Sequence, residues 1–408
     1  MFGNILTGKN GEAADDAITK ALAALRSHMG MEVAYISEVA EGRVILRHVD
    51  APGFEHLVQV GNSYPLDSSY CQHVLDGRLP ELIRDTADHP IAQSLPITHV
   101  LPIRANMSVP LRHYDGEPFG MFCCLSPHPN KSLNERDLQV MRVFADMAAN
   151  QISRSINVQR EIDQKRFSIE KIIHGDDYKF LYQPIWNFRS SRPVGFEALC
   201  RFTAEPYRTP DLWFHDAAEV GCGARLEMAA IGKALNALHA LPEDTFLSIN
   251  ASPETIMSDA FQKLFIDQPN HRLVVEVTEH ALVDDYTKLR RAIDELRAKG
   301  IRLAIDDAGA GYSSLQHILH LNPDIIKLDM ALTRSVDIDP ARRALASALI
   351  FFGHETGCVI VAEGIETQAE LDTLRVLGVP RGQGYFLGRP MALPDVLRLT
   401  DSSSQMLK

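Results

Sequence analysis

FLYQPIWNFRSSRPVGFEALCR, residues 180–201, decides the architecture. Two strand-like runs, 180–183 and 194–199, flank a turn-like stretch from Asn187 to Pro193. Gln183 and Glu197 are only 14 positions apart. A parallel crossover needs a dozen or more connecting residues, so the two runs are predicted to form a hairpin. Further β-type runs follow at 245–250, 273–278, 302–306, 325–328, 359–362 and 384–387, separated by longer helical stretches. Eight runs in about 230 residues match the count and size of a (β/α)8 barrel. The predicted fold is therefore α/β, a TIM-like barrel with a first antiparallel strand. The 53 positions from Glu197 to Asn250 leave room for additional helices.

Nearly every run ends in a polar or charged residue: Gln183, Glu197, Asn250, Glu276, Asp306 with Asp307, Lys327, Glu363 and Gln383. The C-terminal strand ends of such a barrel form its active face, so these side chains are expected to converge. Glu197, Glu276, Asp306, Asp307, Glu363 and Glu366 would then place five or six carboxylates together, and uncompensated they would repel or take up protons. Hard oxygen ligands in this number, with the carbonyl of Asn250 and no nearby Cys or His cluster, suit Mg²⁺ or Mn²⁺. The adjacent pair Asp306-Asp307 could let one carboxylate bridge two ions while the other holds the second. Two such ions clamp an in-line displacement at phosphorus. Lys327 is the one cation of the set, placed to orient water or offset charge on phosphoryl oxygens. A single strand-end carboxylate is more often a cap or rim ion pair; one per strand around the barrel is not.

Upstream of residue 180 the pattern differs. A helical stretch over 17–29 leads into strand-like 32–39 and 43–49, with Glu41-Gly42 at the turn. Later, 107–114 and 119–126 flank Asp115-Gly116, a hairpin signal. Ser132-Leu-Asn-Glu135 has capping-box spacing, so a helix is predicted to begin there. Leu138, Met141, Ala145, Ala148 and Ile152 recur at the 3-4 spacing of a seam, either a domain's last helix or a dimer-forming signalling helix. Residues 159–166 are highly polar, as a solvated helical connector would be. The smaller N-terminal domain is thus α+β, over 1–155, its terminal and linker helix covering about 132–173, with the barrel over 165–400.

Chain length of 408 residues agrees with two domains. Net charge is −12; up to residue 150 there are 12 basic and 18 acidic residues, leaving 29 and 35 beyond, so neither part carries a basic block. Binding to a nucleic-acid polymer is not expected, since its affinity comes from clustered cations. The longest apolar stretch, 344–352, is far short of the roughly 20 residues a membrane span needs. The start, MFGNILTGKN, lacks a signal peptide's features, and a cytoplasmic location is expected. The six cysteines (Cys71, Cys123, Cys124, Cys200, Cys222, Cys358) show no C-x-x-C pair and read as buried small residues in a reducing compartment. Cys123 and Cys124 lie in a strand-like run and should face opposite ways, which argues against their acting jointly.

Taken in order, FLYQPI (180–185), EALCR (197–201), Asn250 in LSINASP, EVTE with Glu276 and Glu279, DDAGAGYSSL from Asp306-Asp307, PDIIKLD with Lys327, AEGIE with Glu363 and Glu366, and QGYFLGRP with Gln383 resemble EAL-domain phosphodiesterases. The resemblance implies hydrolysis of cyclic di-GMP, a bacterial second messenger, to linear pGpG with two Mg²⁺ or Mn²⁺ ions. By the same likeness Glu197, Asn250, Glu276 and Asp306 would hold the first metal, and Asp306, Asp307 and Glu363 the second. Lys327 would contact the nucleophilic water; with Glu363 it makes up the catalytic assignment. Gln183, Leu199, Arg201 and Gln383 would contact substrate, and Glu279 would anchor the loop after the Asp pair. A homodimer is a further implication. Where the family loop reads DDFGTG, Ala308 and Ala310 stand here; both aspartates persist, so chemistry is expected to survive, while the aromatic and the hydroxyl are lost from a loop that in this family couples dimerisation to metal binding, and their effect on regulation is left open. The alternative is a non-catalytic cyclic di-GMP receptor signalling to a protein partner, but inactive members commonly lack a metal ligand or the Lys, and here the set is complete.

In the N-terminal part, SYCQHVLDGRLPELI (69–83) and MSVPLRHYDGEPFGMFCCLS (107–126), with the order of elements, resemble GAF domains. These regulate by binding a small molecule, a tetrapyrrole or a partner; no particular ligand is assigned here. Cys71 lacks the adjacent Cys-His pair of bilin-tethering members. Asn130-Lys131 resembles the start of a cyclic-nucleotide GAF signature whose downstream Phe is absent. No GGDEF-like motif is present.

Overall fold

The computed structural model describes residues 9–278, 285–309 and 318–405. Glu279 and Ala310 lie outside the described residues. The chain divides into two compact units, Met1–Asp163 and Gln164–Lys408.

In the first unit, helix α1 (Lys9–His28) precedes strands β1 (Val33–Ala40), β2 (Arg43–Asp50) and β3 (Ser63–Pro65). Helix α2 (Tyr70–Leu75), then β4 (Leu82–Ile83), β5 (Ala105–Arg112), β6 (Pro118–Ser126) and helix α3 (Glu135–His174) follow, the last residues of α3 belonging to the second unit. The strands form one antiparallel six-stranded sheet in the order β3-β2-β1-β6-β5-β4. Strand alternation sends neighbouring side chains to opposite faces. Ala34, Ile36, Phe122 and Cys124 pack with Leu22 and Leu25 of α1 and Leu138, Met141 and Ala145 of α3. Val33, Tyr35, Met121 and Cys123 face a second core with Tyr70, Cys71 and Val74 of α2. Cys123 and Cys124 thus do face opposite ways.

One expectation is corrected here. Helix α3 begins two residues after its expected cap: Asn134 Oδ1 accepts from Arg136 N at 2.9 Å, and Asn134 N donates to Asp137 Oδ2 at 2.9 Å. Ser132 Oγ is occupied elsewhere, donating to Asn130 Oδ1 at 2.6 Å, so the reciprocal cap sits on Asn134 and Asp137. The seam from Leu138 to Ile152 packs into the unit's own core, as a domain's last helix would, while Val140, Val143 and Met147 on the same stretch of helix are exposed.

The strands of the second unit are β7 (Tyr178–Asn187), β8 (Arg192–Phe202), β9 (Phe246–Asn250), β10 (Leu273–Thr278), β11 (Arg302–Ala308), β12 (Ile325–Leu328), β13 (Val359–Ala362) and β14 (Arg381–Gly382). They close into a barrel in the order β10-β11-β12-β13-β14-β7-β8-β9. β7 runs antiparallel to both neighbours, β8 and β14, and every other pairing is parallel. The hairpin expected from the short 183–197 separation is therefore present. Helices Pro210–Glu219 and Gly223–Leu235 fill the long stretch before β9. The eighth strand is not 384–387 but Arg381–Gly382, ahead of Gln383. That segment is too short to show a period, and the apolar Tyr385 and Phe386 behind it are exposed.

Candidate active site

Strand register brings the predicted residues to one end of the barrel. Gln183 pairs with Glu197, Glu197 with Ser248, Asn250 with Glu276, and Thr278 with Asp306. Lys327 on β12 is 1% exposed, with its ammonium 2.7 Å from Glu276, 2.9 Å from Asp306, 2.9 Å from Glu363 and 3.4 Å from Glu197. Gln383 Nε2 donates to Glu197 Oε2 at 2.6 Å and to Glu363 Oε1 at 2.8 Å, tying β8 to the end of β13. Asn250 Nδ2 donates to Glu197 Oε1 at 3.2 Å.

Asp306 and Asp307 are consecutive in β11, where side chains normally point to opposite faces. The β11–β12 register shifts between Ile305 and Ala308, and Asp307 takes a left-handed backbone with φ 56°. This bulge lets ligand oxygens of Asp306, Asp307 and Glu363 lie within 4.8 Å of one another, while those of Glu197, Glu276 and Asp306 form a second such group. Gly309 follows with φ 105°; a Cβ there would come within 2.3 Å of Leu332 Cδ1. Ala308 is wholly buried in the barrel core.

The electrostatics follow from burying four carboxylates around one ammonium. Burial alone would push Lys327 down, but Asp306, Glu197, Glu276 and Glu363 outweigh it and hold its pKa well above the usual value. Burial pushes Glu276 up to about 8; Lys327 opposes the rise, and Glu197 and Asp306 add to it. Burial, then the Asp306 and Asp329 charges, push Asp307 up to about 6. Glu363 is raised by burial and then by Asp306. One cation is too few for this site, and a divalent ion fits the deficit. Two buried oxygens support that fit: Gln383 Oε1 accepts no hydrogen bond among the described residues, and Asp306 Oδ1 faces Lys327 without hydrogen-bond alignment. Oxygen donors in two groups suit a hard divalent cation.

A cavity of about 270 Å³ opens beside the cluster, lined by Gln183, Asp307, Asp329, Arg334, Glu363, Glu366, Gln383 and Tyr385 among others. Gln183 also donates to Gly388 O at 3.3 Å. The lining includes neither Leu199 nor Arg201; these follow Glu197 at two-residue steps along β8, and Arg201 donates to the Cys200 carbonyl at 2.7 Å. Glu366 does not join the carboxylates. Gly364, with φ 63°, turns the chain after Glu363, and Glu366 meets Arg334 at the cavity wall instead. Sequence reasoning missed Ser248, whose hydroxyl donates to Glu276 Oε1, and Asp329, which lines the cavity beside Asp307. Ser248 had a signal, lying two before Asn250 on the same face of β9; Asp329 follows the end of β12 as the N-cap of a short helix, Met330–Thr333.

A model of the EAL domain matches residues 166–390. The chain belongs to the EAL domain family. A GAF domain model matches residues 14–152. Among curated relatives, the probable cyclic di-GMP phosphodiesterase PdeD of Escherichia coli (strain K12) is 31% identical over 230 residues, covering 54% of this chain and 42% of that protein. The probable cyclic di-GMP phosphodiesterase PdeG of the same organism is 29% identical over 243 residues, 57% of this chain and 48% of that protein. The chain thus spans less than half the length of these two EAL relatives. The solved complex of the PaMucR phosphodiesterase with c-di-GMP superposes with a TM-score of 0.52 at 26% identity, covering 57% of this chain and 99% of that one. The EAL enzyme Bd1971, in its cAMP- and cyclic-di-GMP-bound form, gives 0.56 at 18% identity over 91% of this chain and 93% of its own, a likeness of fold alone. Among the described residues, no helix is long and apolar enough to cross a membrane.

Proposed function

We propose that this EAL barrel hydrolyses cyclic di-GMP to linear pGpG in the cytoplasm, with Mg²⁺ or Mn²⁺, and that the GAF domain sets the rate. The observation that carries the reading is the Lys327 cluster: four carboxylates from four strands or strand ends converge on one buried ammonium beside an open cavity. Relatives named as cyclic di-GMP phosphodiesterases supply the substrate. Glu197, Asn250, Glu276 and Asp306 would hold one ion, and Asp306, Asp307 and Glu363 a second. Bound ions supply Lewis acidity, acidifying water and neutralising phosphoryl charge. Gln383 fixes the Glu197 and Glu363 carboxylates relative to each other. Lys327, held protonated by its neighbours, places a positive charge beside the reacting centre, where it offsets charge that grows on phosphorus oxygens. Gln183 lines the cavity and is placed to donate to substrate, with Leu199 and Arg201 further along β8. The homodimer implied by the family also belongs to this reading, with its contact away from the Leu138–Ile152 seam.

Chromatography of cyclic di-GMP incubated with the purified chain tests it. Appearance of pGpG with Mg²⁺ or Mn²⁺, and none with EDTA, is the expected outcome. Intact substrate despite measurable binding, for both the full chain and residues 161–408, would leave the receptor reading in its place. Glu197→Ala is expected to abolish turnover by emptying the first metal group; near-normal turnover would refute that ligand assignment.

A further inference from the structure

We propose, on the reading of the barrel as a cyclic di-GMP site, that Glu370 is a positioning residue: it holds Arg334 on the cavity wall as the cation that meets the anionic substrate. The wall is built from two segments, residues 329–335 after β12, with the short helix Met330–Thr333, and residues 363–367 after β13. Asp329 and Arg334 of the first, and Glu363 and Glu366 of the second, line the cavity. Arg334 is the one cation among the described lining residues, against the four carboxylates of Asp307, Asp329, Glu363 and Glu366. Those charges repel a phosphodiester, and a guanidinium is the side chain whose forked donors suit its oxygens.

Glu370 fixes both segments at once. It is buried in the first turn of helix Gln368–Val376, as the N3 residue of a capping box on Thr367. One carboxylate oxygen accepts from Ser335 N at 2.9 Å; the other accepts from Glu366 N at 2.9 Å and from Thr367 N at 3.0 Å. A capping box needs only the bond to Thr367. The two additional bonds pin the peptide units that join Arg334 to Ser335 and Ile365 to Glu366, and the Arg334 and Glu366 side chains then pair across the wall. Ser335 takes a left-handed backbone with φ 55°, unfavourable for a residue with a Cβ, so the bond to its N–H holds a turn that would otherwise relax. Burial would raise the Glu370 carboxyl, but the three backbone donors outweigh it and keep it below the usual range.

Glu363 is secured separately: its carbonyl accepts from Thr333 Oγ1, and its carboxylate meets Lys327 and Gln383. Loosening the Glu370 bridge should therefore show in substrate binding and spare the acidic cluster.

Glu370→Gln separates bridge from cap. Its single amide oxygen can keep the bonds to Glu366 and Thr367, while its NH2 meets the Ser335 N–H donor to donor. The full chain, Glu370→Gln, Arg334→Met and the double variant are compared by KM and kcat for cyclic di-GMP with Mn²⁺, and by hydrogen exchange of peptides covering 333–338 and 366–371. Glu370→Gln is expected to exchange faster at 333–338 alone and to raise KM about three- to tenfold at little cost in kcat. Arg334→Met should raise KM about tenfold, and the double variant no further, since both act through one contact. Unchanged KM, or unchanged exchange at 333–338, overturns the proposal, because Glu370 is then only a helix cap. A fall in kcat at constant KM overturns it too, by placing the effect on the acidic cluster, and so do multiplying effects in the double variant. Intact substrate with the wild-type chain sinks the catalytic reading instead. Dissociation constants for the same four proteins then take the place of KM, with the same pattern required, and absence of binding by the wild type ends both.

Discussion

Asp307 has two separable tasks, and its neighbours show why. Its left-handed backbone at φ 56° makes the bulge, and its carboxylate completes the second acidic group. Asn tolerates the left-handed region because its short polar side chain hydrogen-bonds locally, while Ala pays the usual cost of about 1 kcal/mol or more. Asp307→Asn and Asp307→Ala are both expected to lose turnover, since each removes the ligand charge. Thermal melts of the metal-free variants should then place Ala below Asn by about 1 kcal/mol. Equal melting points would mean the bulge is held by the rest of β11 and not by this residue. At this scale the sequence was legible where one strand carries the pattern: Glu197, Asn250, Glu276 and Lys327 were found from run ends alone. Adjacent aspartates on one side of a strand were not derivable from period-two alternation, because a bulge leaves no periodic mark.

Helix α3 shows what periodicity can and cannot decide at the level of an element. The 3-4 spacing from Leu138 to Ile152 correctly named a buried face, but burial against the same chain and burial against another leave the same pattern. The helix start was misplaced because Ser-Leu-Asn-Glu and Asn-Glu-Arg-Asp both have cap spacing, two residues apart, and only the hydrogen bonds choose. The choice has a consequence. Asn134→Ala should cost about 1 kcal/mol of first-unit stability, and Ser132→Ala clearly less. Urea midpoints of the two variants read the difference directly; a larger loss for Ser132→Ala would restore the cap to the earlier position. The short β14 was missed for want of length, whereas the β7–β8 hairpin was legible because chain connectivity alone forbids a crossover there.

For the whole molecule, the two units have separate cores, and among the described residues the acidic cluster lies in the second alone. Calorimetry of the chain should therefore resolve two transitions, with Mn²⁺ raising only the one that belongs to the barrel. The pH dependence of that transition follows from Glu276 near 8, Asp307 near 6 and a raised Glu363. All three are carboxyls whose folded pKa exceeds the unfolded one. The folded barrel consequently holds protons that the unfolded chain releases, and each contributes stability that is complete below about pH 4 and lost as pH rises through the folded value. Each such proton is worth about 1 kcal/mol per pH unit within its window. Lys327 titrates far above that range and adds no slope there. The metal-free barrel transition should accordingly fall between pH 5 and 8. Divalent ions compete with the same protons, so their stabilisation should grow over the same interval and offset the fall. A metal-free transition that rises with pH would show that these carboxylates are already ionised in the fold. A cation effect that weakens toward pH 8 would place the bound ion somewhere other than this cluster.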